Sequence, residues 1–243
     1  MNTRLRQIAE NIERNPCEST GHIYHPLPFP EFERLKTSSS KESAFRKWRL
    51  INHSLQSFPS IAGLRVLDVG ANAGFYSFNF AKLGALVDAY EPHKHYAQFG
   101  AQIAEATNLP VRWHNKRLEQ ADLAGKSYDI ALMLSVFQWV SRGNENLEEA
   151  KALLSAVAHS ARVLFFELGC NSGESAIHVA ERPIAWIWRL LKENTSPKDV
   201  AYLGSTAPWG RGRRFLFACA EDRLSLTLWQ RLITFALQRS WIC

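Results

Sequence analysis

Val66-Leu-Asp-Val-Gly-Ala-Asn-Ala-Gly-Phe-Tyr-Ser77 reads as a buried strand, a glycine-bracketed turn and the first turn of a helix. Leu64, Val66, Leu67 and Val69 suit a strand covered on both faces, and Gly70 and Gly74 bracket a turn where a Cβ would hold a ligand off the backbone. From Phe75 the pattern becomes helical, with Phe75, Phe78, Asn79 and Lys82 at helix spacing. A helix that starts at such a turn offers unpaired N–H groups and the positive end of its dipole to an adenosine-type cofactor.

The glycine spacing narrows the choice of cofactor. A G-x-G-x-x-G dinucleotide fingerprint needs glycines where this chain has Asn72 and Phe75, and no G-x-x-x-x-G-K-[ST] is present to cradle a triphosphate. What remains, Asp68-x-Gly70-x-Asn72-x-Gly74, resembles the first motif of class I S-adenosylmethionine-dependent methyltransferases, with the middle glycine replaced. The next strand, Ala85-Leu-Val-Asp-Ala-Tyr-Glu91, ends in a carboxylate, a bidentate acceptor for two vicinal ribose hydroxyls. Glu91 alone says "adenosine cofactor"; with the turn before it, on a strand-turn-helix-strand unit, it makes S-adenosyl-L-methionine the expected cofactor.

Composition agrees without discriminating. The 243 residues, 46% of them hydrophobic, suffice for one substantial core. The expected organisation is an N-terminal extension and cap over residues 1–58, a methyltransferase domain over 59–221 and a C-terminal helix over 222–243. A net charge of +6 points to an anionic partner or serves solubility. Cys17, Cys170, Cys219 and Cys243 are scattered, without ligand spacing, which suits reduced thiols of a cytoplasmic protein and gives no metal site. No apolar run is long enough to span a bilayer, and the N-terminus lacks an apolar signal core.

Residues 3–14 suit a short helix ended by Asn15-Pro16. Pro26, Pro28 and Pro30 then force an extended arm, either a lid that lays Tyr24 and its neighbours His22 and His25 over a cofactor mouth or a surface-packed segment. Ser38-Ser39-Ser40 caps a helix running to about Ser57, with Phe45, Trp48, Arg49 and Leu55 on one face and Arg46 and Lys47 beside them. Aromatics there suit the core and charges suit solvent. Since class I methyltransferases commonly carry a substrate cap on N-terminal helices, Arg46 and Arg49 are also anion-binding candidates.

Further helices are expected from His93 to Thr107, from Glu145 to Ser160 and from Pro183, and further strands at Pro110–His114, Ser127–Ser135, Arg162–Gly169, Val200–Thr206 and Arg214–Ala220. The last two make an antiparallel hairpin. Seven strands with the last antiparallel give a Rossmann-like α/β sheet with helices on both faces, the architecture that the resemblance implies over roughly residues 60–220. His93-x-His95 alone is not a metal site. In this family an acidic residue commonly binds the adenine amino group; the matching position here is Arg117, which leaves adenine to the Leu118 backbone or its neighbours.

The run Ser135-Val-Phe-Gln-Trp-Val140 resembles a stretch shared by bacterial O-antigen chain-terminator methyltransferases and bicoid-interacting RNA-phosphate methyltransferases, both of which methylate a terminal phosphate. The resemblance assigns Ser135 to the cofactor, Gln138 to catalysis and Trp139 to substrate, or the run is simply wall packing. Asp68, through water, would hold the methionine end of the cofactor and Glu91 its ribose, with Gly70, Asn72 and Gly74 permitting close approach. Glu167, at the carboxyl end of its strand, either orients substrate and takes its proton or makes a structural hydrogen bond. Tyr24 joins Gln138 and Glu167 among the catalytic candidates; Arg211, Arg213 and Arg214 either grip an anion or are solvated, and Arg214 is the substrate candidate.

Three functions follow: a methyltransferase acting on an oxygen of a small-molecule or glycan-linked acceptor, a phosphate included; an RNA methyltransferase; or a non-catalytic cofactor-binding scaffold. RNA would call for a basic stripe with stacking aromatics, and the arginines are scattered instead. Leu224, Leu228, Trp229, Leu232, Ile233 and Ala236 mark a terminal amphipathic helix that packs on the domain, pairs two subunits or touches a membrane surface. Oligomeric state is left open.

Overall fold

In the computed structural model, which describes residues 2–172, 175–196, 198–210 and 212–239, the leading stretch forms strand β1 (Arg65–Val69), a tight turn and helix α3 (Phe75–Lys82). Helix α1 (Thr3–Arg14) and helix α2 (Lys41–Ser54) precede it. After it come β2 (Leu86–Tyr90), α4 (Lys94–Thr107), β3 (Val111–His114), β4 (Tyr128–Leu134), the short α5 (Phe137–Val140) and α6 (Leu147–Ser160). The chain continues through β5 (Ala161–Gly169), α7 (Pro183–Asn194), β6 (Asp199–Thr206), β7 (Arg214–Ala220) and α8 (Leu228–Arg239). The sheet order is β3-β2-β1-β4-β5-β7-β6, and only β7 runs antiparallel to its neighbours β5 and β6. This is the Rossmann-like seven-stranded sheet expected from the sequence. Arg211 and Cys243 lie outside the described residues.

The residues fall into two compact units that interleave along the chain, residues 1–45 with 60–118 and residues 46–59 with 119–243. In the first, β1, β2 and β3 pair in parallel and α3 is buried along nearly its whole length, including Phe75, Phe78 and Phe80. A parallel sheet needs that cover, since both of its faces are apolar. In the second, β4 and β5 pair in parallel and Phe165, Phe166 and Phe217 are fully buried.

The inward face of α2 differs from expectation, and α8 turns outward several of the apolar residues singled out in the sequence. The inward stripe of α2 is Ala44, Lys47 and Ile51, continued by Leu55, whereas Phe45 is 44% exposed and Arg49 is exposed. The expectation grouped the large aromatic residues, but what decides the stripe is the 3-4-4 spacing of the smaller set. In α8, Leu228, Trp229 and Leu232 are exposed while Gln230 and Leu237 are buried. There the polar side chains are drawn inward by the edge strand β6: Gln230 donates to the Leu203 carbonyl at 2.8 Å, and the Tyr202 N–H donates to Thr234 Oγ1 at 3.0 Å.

Candidate active site

In the first unit the turn after β1 is held from two sides. Gly70 and Ala71 N–H groups both donate to the Tyr90 carbonyl, which fixes the chain as it leaves the strand. Asn72 has φ of 56° and Gly74 has φ of 99°, a left-handed pair that swings the backbone into α3. A Cβ on Gly74 would stand 2.7 Å from Phe78 Cε2 and 2.9 Å from Trp113 Cζ2, so packing behind the turn requires glycine there as well.

Glu91, next after β2, ties this turn to the start of α4. Its Oε2 accepts the Asn72 N–H at 2.8 Å and its Oε1 accepts the His93 N–H at 2.7 Å. Burial pushes the Glu91 carboxyl above its ordinary value, and the two backbone donors oppose that rise. Each oxygen retains a lone pair for a further donor. Asp68 is deeply buried and accepts the Ser77 hydroxyl at 2.6 Å; burial pushes its carboxyl up to about 7.

Asn72 Oδ1 is buried and has no hydrogen-bond partner. A buried acceptor without a donor costs about 1–3 kcal/mol. Beside a carboxylate with spare acceptor capacity and a left-handed turn, it marks a place where a polar ligand brings donors. That donor and acceptor set fits an adenosine-type cofactor.

The arm that the prolines extend lies along α3. The His25 ring is 5.7 Å from the Tyr76 ring and 6.3 Å from that of Phe75, its Nδ1 is 2.9 Å from Ser39 Oγ, and Tyr24 stacks edge-on against it at 4.6 Å. Phe29 meets Phe78 at 5.4 Å, and Lys82 donates to the Pro28 carbonyl while lying 4.1 Å over the Phe29 ring. With anchors at 25, 28 and 29, the arm is a fixed strap over the first turns of α3. Beyond β3, Leu118 is buried and Arg117 is exposed.

The second unit gathers a different set at the carboxyl ends of β4, β5 and β6 and the start of β7. Glu167 is fully buried, and Lys47 Nζ lies 2.6 Å from its Oε2. Ser135, which has φ of 60°, donates its hydroxyl to the same Oε2, and Thr206 Oγ1 donates to Oε1 at 3.0 Å. Burial alone would raise the Glu167 carboxyl; the charges of Lys47 and Arg214, with the donors from Lys47 and Ser135, outweigh it and hold the group below its usual range. The Arg214 guanidinium lies 4.5 Å over the Trp209 ring.

Gln138 donates to the Ser135 carbonyl at 2.8 Å, and its own Oε1 is buried without a partner. Trp139 is 59% exposed, and Arg46, Arg49 and Arg213 are exposed. The second unit therefore brings Ser135, Gln138, Glu167 and Arg214 to one sheet edge, with Arg46 and Arg49 on the outer side of α2. Lys47 was missed by sequence reasoning. Its place in the Ala44, Lys47, Ile51 stripe was the available signal, since a lysine amid a buried stripe needs a buried acid.

A family described as a methyltransferase domain matches residues 66–156. That match covers well under half of the chain. Among curated relatives, the ubiquinone biosynthesis O-methyltransferase of Rhizobium rhizogenes is 27% identical over 135 residues, which are 53% of this chain and 52% of that protein. The same enzyme of Rhizobium etli is 32% identical over 81 residues, 33% of either chain. The chain thus spans about half the length of the first of these relatives or less.

Among solved structures, WbdD, described as a bifunctional kinase-methyltransferase, superposes with TM-score 0.69 at 17% identity, covering 87% of this chain and 46% of WbdD. Magnesium protoporphyrin IX methyltransferase of Synechocystis, solved with S-adenosylmethionine bound, gives TM-score 0.55 at 23% identity, covering 74% of this chain and 80% of that one. These likenesses establish the fold. S-adenosyl-L-methionine is the cofactor that the match to a methyltransferase domain supports.

Proposed function

We propose that the chain is an S-adenosylmethionine-dependent methyltransferase that acts on an oxygen of a small-molecule or glycan-linked acceptor, and that the oxygen is already anionic at neutral pH, as in a phosphate. The observation that carries the cofactor half is the pairing of a Glu91 carboxylate, each oxygen bonded to one backbone N–H, with the unsatisfied Asn72 Oδ1 beside it. The curated relatives, which are O-methyltransferases by name, support oxygen as the acceptor atom.

When bound, the cofactor supplies an electrophilic methyl group on a sulfonium. Glu91 would accept from the ribose hydroxyls with its free lone pairs, Asp68 in its ionised form would hold the methionine end through water, and Gly70, Asn72 and Gly74 would let the backbone come close. The Leu118 backbone or its neighbours would meet the base, with Arg117 exposed. The strap bearing Tyr24 and His25 keeps water from the start of α3.

The acceptor half rests on Glu167. A carboxylate that carries three donors and lies below its ordinary pKa is a poor proton acceptor at neutral pH, so its work is to hold Lys47 and Ser135 in place. Without a strong base, an acceptor that needs no deprotonation is favoured, and catalysis is then largely a matter of positioning. Gln138 Oε1, Trp139, Arg214 and the exposed Arg46 and Arg49 are the groups we assign to acceptor binding. We place the reaction in the cytoplasm, in keeping with the free Cys17, Cys170 and Cys219.

The test is calorimetry with S-adenosylmethionine and S-adenosylhomocysteine, followed by transfer of radiolabelled methyl to phosphorylated sugars, phenols and RNA. Binding of both nucleosides and label in the phosphorylated acceptor are expected. An absence of heat with either nucleoside overturns the cofactor assignment, and label in the phenol or RNA alone overturns the acceptor.

A further inference from the structure

Helix α8 is mounted with its polar side chains inward. Gln230, Thr234 and Leu237, at helix spacing, face the edge strand β6, where two side chain-to-backbone hydrogen bonds fasten them. Gln230 Oε1 also accepts the Thr227 N–H at 2.8 Å and so closes the start of the helix. Those bonds fix the rotation of α8 about its axis. Leu228, Trp229, Leu232 and Phe235 are consequently turned outward, with exposures of 74, 69, 51 and 52%. They form one contiguous apolar arc, which exceeds the scattered exposure expected of a surface.

The charges on α8 and on the segment leading into it from residue 223 have one sign. From residue 223 to residue 239 the chain has Arg223, Arg231 and Arg239 and no acidic residue. The Arg239 guanidinium lies 4.5 Å over the Phe235 ring, which keeps it beside the apolar arc. Arg231 flanks the arc on one side, its Nε donating to the Leu226 carbonyl.

We propose that α8 docks in the plane of an anionic phospholipid surface, with Leu228, Trp229, Leu232 and Phe235 in the acyl boundary and Arg231 and Arg239 at the headgroup phosphates. Twelve residues rise about 18 Å, well short of the ~30 Å hydrocarbon core, so the helix lies on the bilayer and does not cross it. A second copy fits less well: a two-fold α8 pair would bring arginines together with no acid on either helix to answer them. The arc shares no residue with those assigned to cofactor and acceptor, so the proposal stands whatever their chemistry.

The experiment is co-sedimentation of the whole chain with vesicles of phosphatidylcholine alone and of phosphatidylcholine mixed with phosphatidylglycerol. At least about tenfold more protein is expected on the anionic vesicles, declining as salt screens the arginines. W229S/L232S/F235S is expected to lose the binding, and R231E/R239E to lose the preference for anionic lipid while keeping the apolar arc. Thermal melts of both variants show whether they are folded. For the unaltered chain, brominated acyl chains are expected to quench tryptophan fluorescence, and W229F to remove most of that quenching. Equal background sedimentation with both vesicles overturns the proposal, as does binding that persists in the folded serine variant. So does a dimer in sedimentation velocity that the serine variant dissolves, which would assign the face to self-pairing.

Discussion

Lys47 and Glu167 stand 120 residues apart in sequence and 2.6 Å apart in space, both almost completely buried. A buried ion pair is costly to break from one side, because the partner left behind keeps its charge without compensation. Replacing Lys47 by Met is expected to destabilise the protein by about 3–5 kcal/mol, and K47M/E167Q to recover part of that loss because the stranded carboxylate is gone. Chemical denaturation of K47M, E167Q and K47M/E167Q measures this. Equal losses in K47M and K47M/E167Q would show that the pair contributes through packing alone.

Asp68 gives the chain a pH signature. Its folded carboxyl is raised from 3.8 to about 7, so the folded state holds a proton that the unfolded state has released across that window. The associated stability is fully present below pH 3.8 and is lost as pH rises through about 7. At 1.36 kcal/mol per unit the full shift is on the order of 4 kcal/mol. Asp68→Asn is therefore expected to melt higher than the unaltered protein, by a margin that grows between those two pH values and then levels off, while binding the cofactor more weakly. A melting advantage independent of pH would refute the assignment.

Glu91→Gln replaces one acceptor oxygen by an N–H₂ that cannot receive the N–H of Asn72 or of His93. Cofactor affinity is expected to drop by about 10- to 100-fold, since a hydrogen bond to a charged group contributes roughly 1.5–3 kcal/mol. Glu91→Ala is expected to drop it further. Isothermal titration with S-adenosylhomocysteine reads both.

Gly100 lies within α4, where alanine would ordinarily gain about 1 kcal/mol over glycine. Here a Cβ would stand 2.1 Å from Trp113 Cζ2 and 2.4 Å from two more atoms of that ring. Overpacking of this kind costs about 1–3 kcal/mol, so the sign reverses and Gly100→Ala is expected to destabilise. Trp113→Leu in the same chain should relieve the clash. A G100A variant as stable as the parent would mean that the Trp113 ring moves aside freely.

What the sequence made legible was local. The unit from β1 to Glu91 is written in consecutive residues, with apolar runs, left-handed positions and a terminal carboxylate each set by neighbours within about one turn or strand. The count of seven strands with the last antiparallel followed from the strand patterns, the short β6–β7 connection and the resemblance. Lys47 was not legible in the same way, because its meaning comes from Glu167 on another element. The inverted mounting of α8 is a similar case: apolar residues at helix spacing suggest an inward face, but the backbone groups along β6 recruit Gln230 and Thr234 and turn the helix over. The outer strand thereby overrides the amphipathic pattern.

That arrangement has a consequence for handling the protein. Strand β6 lies last in the sheet, and the amide of Tyr202 and the carbonyl of Leu203 are engaged by side chains of α8. A chain cut before Leu228 would bare that rim and leave it ready to template a foreign strand. Fragments trimmed to a tidy catalytic core would then clump, and the clumping would come from the missing helix and not from a misfolded interior.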